Sequence, residues 1–474
     1  MSFNQYNPMN PHPVPLLSRR EMLRRTLRGS MGLGLLAMLG HEQRALAAGL
    51  SKGVYVPQAA KAKRVIMIFL DGGLSHVDSF DYKPRLFADH NKSVADNTFE
   101  GRFGANQSIY VKTPEYQFAP CGNSGLMISD LFPHMRQQAD DLCILNSLHT
   151  GHANHFEAVV GMHTGSFNFQ RPSIGSWVNY ALGSECHDLP GFVALASDLP
   201  YGGTAAFASD FLPGENNGVR IRPGTEPVKY LGAGRSAAAQ AAGQSLVREL
   251  NQEHLNNHES YGALTARMRS WEVAGAMQLA APEVLDLSNE PAALREAYGL
   301  NRSGKDGEIA WKCLMARRLI ERGVRFVEVI QRGWDAHGNL KENHSKTAAG
   351  IDQPVAALLS DLKSRGLLEE TLVIFTTEFG RTPANYIPNM SGRDHHPHAF
   401  SSWLAGAGVK PGMSYGKTDD YGIHVAENGV HVHDFHATIL HLLGINHEKL
   451  TFRHSGRDYR LTDVEGHVVR DILA

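Results

Sequence analysis

Twenty-five histidines are present in 474 residues, and they cluster. His149, His152, His155 and His163 form one group, His395, His396 and His398 a second, and His431, His433, His436 and His441 a third. Carboxylates accompany them. In Gly392-Arg393-Asp394-His395-His396-Pro397-His398, four potential metal ligands fall within five positions, too dense for ordinary surface polarity. Trp334-Asp335-Ala336-His337 sets a carboxylate and an imidazole two residues apart, so both point the same way from an extended chain. Mixed imidazole and carboxylate donors favour zinc, manganese or iron over magnesium and calcium, which prefer oxygen shells. In the third group, His431 to His436 lead into a helical pattern closed by Gly444, with Asp434 as the expected N-terminal cap. Some of its histidines are therefore helix-face residues.

Chemistry of this kind needs strands and helices that bring distant side chains to one place. Val65–Leu70 is an apolar run ending in Asp71-Gly72-Gly73, Val324–Ile330 precedes Gly333-Trp334-Asp335, and Leu372–Phe375 runs into Thr376-Thr377-Glu378. These are expected strands. Ile309, Cys313, Ala316 and Ile320 share one helical face before the second strand, and Ile351, Val355, Leu358 and Leu362 another before the third. Such alternation predicts an α/β fold, a mostly parallel central sheet flanked by helices. Polar residues past the carboxyl ends of parallel strands gather along one edge, so Asp71, Asp335 and Glu378 are expected to converge. Arg381, in the tight loop after Glu378, suits either bidentate anion binding or a salt bridge to Glu378 or Asp71. Segments 100–123 and 198–224 lack a sustained period and are expected loops, and a helical insertion is expected over about 232–300.

The N-terminus carries a different signal. Ser18-Arg19-Arg20-Glu21-Met22-Leu23, the apolar run Met31–Leu39 and Ala45-Leu46-Ala47 have the order of a twin-arginine export signal, too short to span a bilayer. Residues 1–47 are the expected signal peptide, 48–60 a flexible flank and 61–474 the folded domain. Cleavage after Ala47 removes six arginines and two glutamates, taking the formal charge from −2 to −6. An acidic chain of this kind lacks the basic stripe that nucleic acid requires. The mature protein is expected in the periplasm or outside the cell, delivered by the twin-arginine translocase with its metal loaded during folding, since metal binding and folding are coupled. Cys121, Cys143, Cys186 and Cys313 are far apart; an oxidising compartment leaves a Cys121–Cys186 bridge open.

Leu70-Asp71-Gly72, the Asp335/His337 pair, Glu378, the histidine-rich segment and Asp434 with its helix together resemble the alkaline phosphatase superfamily of phosphatases, phosphodiesterases and sulfatases. More closely, Trp334–His337, Thr377–Pro383, Gly392–His395 and the last fifty or so residues resemble the family called domain of unknown function 1501, from about Val65 to Ala474. The resemblance implies an alkaline-phosphatase-like fold with loop and helical insertions and two metal positions, one served by Asp71 and Glu378. The other would be served by Asp335, His337 and one of His395 or His398, with Asp394 a further candidate. One or two divalent transition ions, zinc or manganese, are implied. Superfamily members carry Asp-His where this chain has Glu378-Phe379, so an altered or one-metal site is expected. The nucleophile position upstream of Thr164-Gly165 holds Asn154 or His155, with no hydroxyl or thiol. Water is then the expected nucleophile, with His152 and His155 as metal ligands or general bases. No sulfatase formylglycine motif surrounds the cysteines.

The function expected is an exported, metal-dependent hydrolase of phosphate or sulfate esters, acting on an anionic small molecule or polysaccharide. The alternative is a catalytically degenerate module that binds an anionic polysaccharide or a partner protein.

Overall fold

The computed structural model describes residues 60–95, 108–186, 188–228, 237–256 and 262–474. The expected signal peptide lies outside them. Among the described residues, no helix is long and apolar enough to cross a membrane.

Nine strands form one sheet: β1 (Arg64–Asp71), β2 (Leu142–His149), β3 (Phe192–Leu195), β4 (Val219–Ile221), β5 (Phe326–Arg332), β6 (Thr371–Thr377), β7 (Phe400–Ala405), β8 (Met413–Tyr415) and β9 (Val430–His431). Their order is β8-β2-β7-β6-β1-β5-β3-β4, with β9 also paired to β2. Every pairing is parallel except the two made by β7, which runs against β6 and β2. The expected mixed α/β architecture with a mostly parallel sheet is what the chain adopts.

β1 shows why its run is continuously apolar. Ile66, Ile68 and Leu70 join one core with Cys313 and Leu314 of α3 (Gly304–Glu321) and Ile351 and Val355 of α4 (Leu340–Ser364). Val65, Met67 and Phe69 join a second core on the opposite face. Its helices are α1 (His155–Thr164), α2 (Ile174–Leu182) and α5 (Val432–Leu442). Alternate residues of a strand face opposite sides, and helices cover both. Burying one such Ile or Phe contributes about 1.5–3 kcal/mol.

Where a helical insertion was expected, the described residues form three helices, Ala237–Asn256, Gly262–Leu285 and Ala292–Tyr298, and Met277, Ala281 and Val284 of the second join the first core. The four cysteines are free, so no Cys121–Cys186 bridge forms. Asp434 is not the cap of α5. His431 occupies the N-cap and accepts from the His433 amide, while Asp434 completes a capping box by accepting from the His431 amide at 3.0 Å.

Candidate metal centre

Five chain segments meet at the carboxyl edge of the sheet. Asp71 ends β1, Glu378 follows β6, and Asp335 lies three residues beyond β5. The segment after β2 leads to His155, the first residue of α1. β7 runs the other way, so its amino end reaches this edge and the segment before it, Asp394 to His398, arrives there too. Gly72 permits a close approach: its φ is +125°, and a Cβ there would lie 2.6 Å from the Asp335 amide nitrogen. The buried Trp334 ring, edge-on to His344 at 5.1 Å, anchors the Asp335 loop from below.

α1 is fixed at both ends. Asn154 caps it, its side-chain oxygen accepting from the Phe156 amide at 3.2 Å. At the far end His436 Nε2 donates to Met162 O at 2.7 Å and His433 Nε2 to Gly165 O at 2.8 Å. Each such bond contributes about 1 kcal/mol.

Around Asp335 Oδ1 lie His337 Nε2 at 3.1 Å, His155 Nε2 at 3.3 Å and His395 Nε2 at 3.6 Å. His337 Nε2 and His395 Nε2 are only 3.0 Å apart. His155, Asp335 and His395 offer one set of ligand atoms within 4.8 Å of one another, and His337, Asp394 and His395 a second. The other ring nitrogens explain this arrangement. His395 Nδ1 donates to Ala153 O at 2.7 Å and His155 Nδ1 to Glu378 Oε1 at 2.6 Å, which leaves the lone pair of each neutral ring on Nε2. His155 Nε2 is buried with no hydrogen-bond partner. An orphaned acceptor facing a carboxylate and two more imidazoles fits a divalent transition metal by its donor chemistry.

Phe379, where the resemblance expects histidine, packs its ring 4.8 Å from His155 and 4.7 Å from His395. Arg381 is fully buried and donates to Asp335 Oδ1 at 2.6 Å, Gly73 O at 3.0 Å, Arg393 O at 3.2 Å and Gly72 O. Of its two expected roles, this is the salt bridge, made to Asp335 instead of Glu378 or Asp71. Burial pushes the Asp335 carboxyl up, but the imidazoles of His155 and His395 beside it and the Arg381 guanidinium bonded to it hold it well below the usual carboxylate range. Burial pushes His155 down, yet Asp335 and Glu378 raise it to about 9 in the protein alone.

The Asp71/Glu378 half differs. Asp71 accepts from the Tyr201 amide at 3.1 and 3.2 Å and from Arg332 Nε at 3.0 Å. Glu378 accepts from the Gly72 amide at 2.9 and 3.2 Å, from Thr377 Oγ1 at 3.0 Å and from His155. Burial, then the charge of Glu378, raises the Asp71 carboxyl to about 7.

Of the residues expected from sequence, Asp71, His155, Asp335, His337, Glu378, Arg381, Asp394 and His395 meet here. His398 is exposed and lies against His396 and His424 instead, with ring centroids 5.5 and 6.0 Å away. His152 lies just outside, its Nδ1 accepting from the Asn154 amide at 3.2 Å and 3.9 Å from Glu157. Two residues at the site escaped the sequence reading, Arg332 and Tyr201. Asp71 and Arg332 are register partners across β1 and β5, a signal available only once the strands are aligned.

The family described as "Protein of unknown function (DUF1501)" matches residues 62–473, and the chain belongs to it. No curated protein matches. Among solved structures, a lipoteichoic acid synthase from Listeria monocytogenes is similar at 9% identity and a TM-score of 0.37, covering 87% of this chain and 78% of that one. A phosphonate monoester hydrolase from Silicibacter pomeroyi gives 11% and 0.35 over 87% and 76%. The alkaline phosphatase of the Antarctic bacterium TAB5 gives 9% and 0.34 over 77% and 96%.

Proposed function

We propose that this member of the DUF1501 family is an exported, metal-dependent hydrolase of phosphate or sulfate esters. One observation carries the reading: His155, His337 and His395 turn their Nε2 atoms toward Asp335 Oδ1, at 3.1 to 3.6 Å, with that of His155 otherwise unpartnered. His155, Asp335, His337, Asp394 and His395 would hold zinc or manganese. When bound, the cation supplies Lewis-acid stabilisation of charge developing on an ester oxygen. Glu378 fixes the tautomer of His155, and the Ala153 carbonyl that of His395. Arg381 keeps Asp335 ionised. The first turn of α1 offers Asn154, His155, Phe156 and Glu157, with no hydroxyl or thiol, which supports water as the nucleophile. His152 suits the base role poorly, because the Asn154 amide takes its Nδ1 lone pair and leaves the neutral ring's proton on Nε2.

The test is the metal content of the purified mature chain and its turnover of aryl phosphate, phosphodiester and aryl sulfate with added zinc or manganese. Stoichiometric metal with turnover of at least one ester class is expected. Absence of metal, with His395→Ala leaving every property unchanged, ends this reading.

A second reading, a degenerate module that binds an anionic polysaccharide or a partner, is favoured by one feature: protein donors already fill the Asp71 and Glu378 carboxylates. Metal without turnover, together with binding to a sulfated or phosphorylated glycan, selects it. Export by the twin-arginine route rests on Arg19 and Arg20; replacing both by lysine should hold the precursor in the cytoplasm, and unchanged export removes that part.

A further inference from the structure

The two sheet-end carboxylates are occupied in an unusual way. Every oxygen of Asp71 and Glu378 faces an N–H or O–H of the protein, and neither belongs to the sets of converging ligand atoms among the described residues. Phe379 stands beside them, without a donor. What Asp71 does hold is a cation of another kind. It takes Nε of Arg332 at 3.0 Å and so fixes the plane of the guanidinium.

That guanidinium lies 4.8 Å over the Tyr201 ring. Tyr201 stacks on the His155 ring with centroids 4.3 Å apart and planes 13° from parallel, and its hydroxyl donates to Asp335 Oδ2 at 3.4 Å. Arg332, Tyr201 and His155 thus form a continuous stack from solvent to the candidate metal ligands. The two arginines of the site divide accordingly: the Arg381 side chain is 0% exposed, whereas that of Arg332 is 41% exposed. Only Arg332 can meet a ligand from solvent.

We infer that the site is mononuclear and that Arg332, aimed by Asp71 and Tyr201, supplies the second positive charge by gripping the oxyanion of the substrate ester. This rests on the metal-dependent reading above and adds to it which group faces the anion. A planar guanidinium presents paired N–H donors to phosphate or sulfate, and such charge-assisted bonds are about twice as strong as neutral ones. Asp71 is here a positioning residue, not a ligand.

The experiment uses the full mature chain, reconstituted with zinc, and inorganic phosphate as probe. Metal per chain is counted by mass spectrometry and phosphate affinity is measured by calorimetry for wild type, Arg332→Gln and Arg332→Lys. One zinc per chain is expected in all three. Phosphate affinity should fall about tenfold or more in R332Q, the scale of one lost hydrogen bond to a charged group, and recover in part in R332K. Two zinc ions per wild-type chain, or phosphate affinity that is unmeasurable in wild type or equal in wild type and R332Q, overturns the inference. Wild type that takes up no zinc would instead end the metal-dependent reading itself, so the two failures are told apart.

Discussion

Two groups of histidines in this molecule look alike in sequence and behave differently. His433 and His436 of α5 donate from Nε2 to the carbonyls that close α1, and their Nδ1 atoms are buried without partners. His155 also has an unpartnered buried nitrogen. An orphaned lone pair therefore does not mark a ligand by itself. What separates the groups is convergence: at the sheet edge three Nε2 atoms surround one carboxylate oxygen, whereas in α5 each imidazole faces a different piece of backbone. The lesson is that the atom bonded to a histidine's far nitrogen, and the company kept by the near one, decide its role.

Substitution can break that contrast. The largest effect is expected for His395→Ala, which removes the nitrogen shared by both candidate ligand sets. Zinc affinity, read by competition with a chelator, should fall by more than about 100-fold, because even the outer partners of a ligand are worth roughly 10–100-fold. His436→Ala is the counterpart. It should lower unfolding free energy by about 2–3 kcal/mol, through a lost buried hydrogen bond and a cavity, and leave zinc affinity unchanged. If H436A lost zinc and H395A did not, the division would be reversed.

Acid sharpens the same distinction more gently. Burial lowers His436 to about 3, and burial with the neighbouring His433 and His149 lowers His431 to about 4. Both values lie below the unfolded reference near 6.5. The unfolded chain then binds more protons in this window, so the stability due to each neutral ring is complete above pH 6.5. It is lost as pH falls toward 4, by about 1.4 kcal/mol per pH unit per group. Urea unfolding of metal-free protein from pH 7 to 4.5 should show this slope, and His436→Gln should flatten it; an unchanged slope would remove His436 from the account. The smallest effect is expected for His398→Ala. That exposed ring is off the cluster, and its loss should move stability and zinc affinity by less than about 0.5 kcal/mol.

The sheet was legible because both of its faces are covered, which makes β1 and β6 continuous apolar runs between glycine and polar punctuation. Asp335, His337 and His395 were legible from local density. The choice between His395 and His398 was not, because it depends on a two-residue pairing: His395 faces Arg381 across a short antiparallel ladder, while His396 on the other face donates to Ile423 O at 2.6 Å. Capping preferences rank Asp434 above His431, and here the strand β9 that delivers His431 overrides them. Arg332 and Tyr201 left no local trace. Their partner Asp71 is 261 and 130 residues away in sequence, and only the folded sheet brings them together.

Strand order also sets a timetable for the growing chain. β1 is made early but is flanked by β5 and β6, so Val65 to Leu70 has neither neighbour until residue 326 has been synthesised. At about 5–20 residues per second that wait lasts on the order of 10–50 seconds. During it an uninterrupted apolar strand has both hydrogen-bonding edges open, the condition under which nascent chains pair with the wrong partner. A ribosome stalled before Phe326 would hold a chain that can pair β3 with β4 but has no partner for β1, and molecular chaperones would have their longest engagement with this protein there.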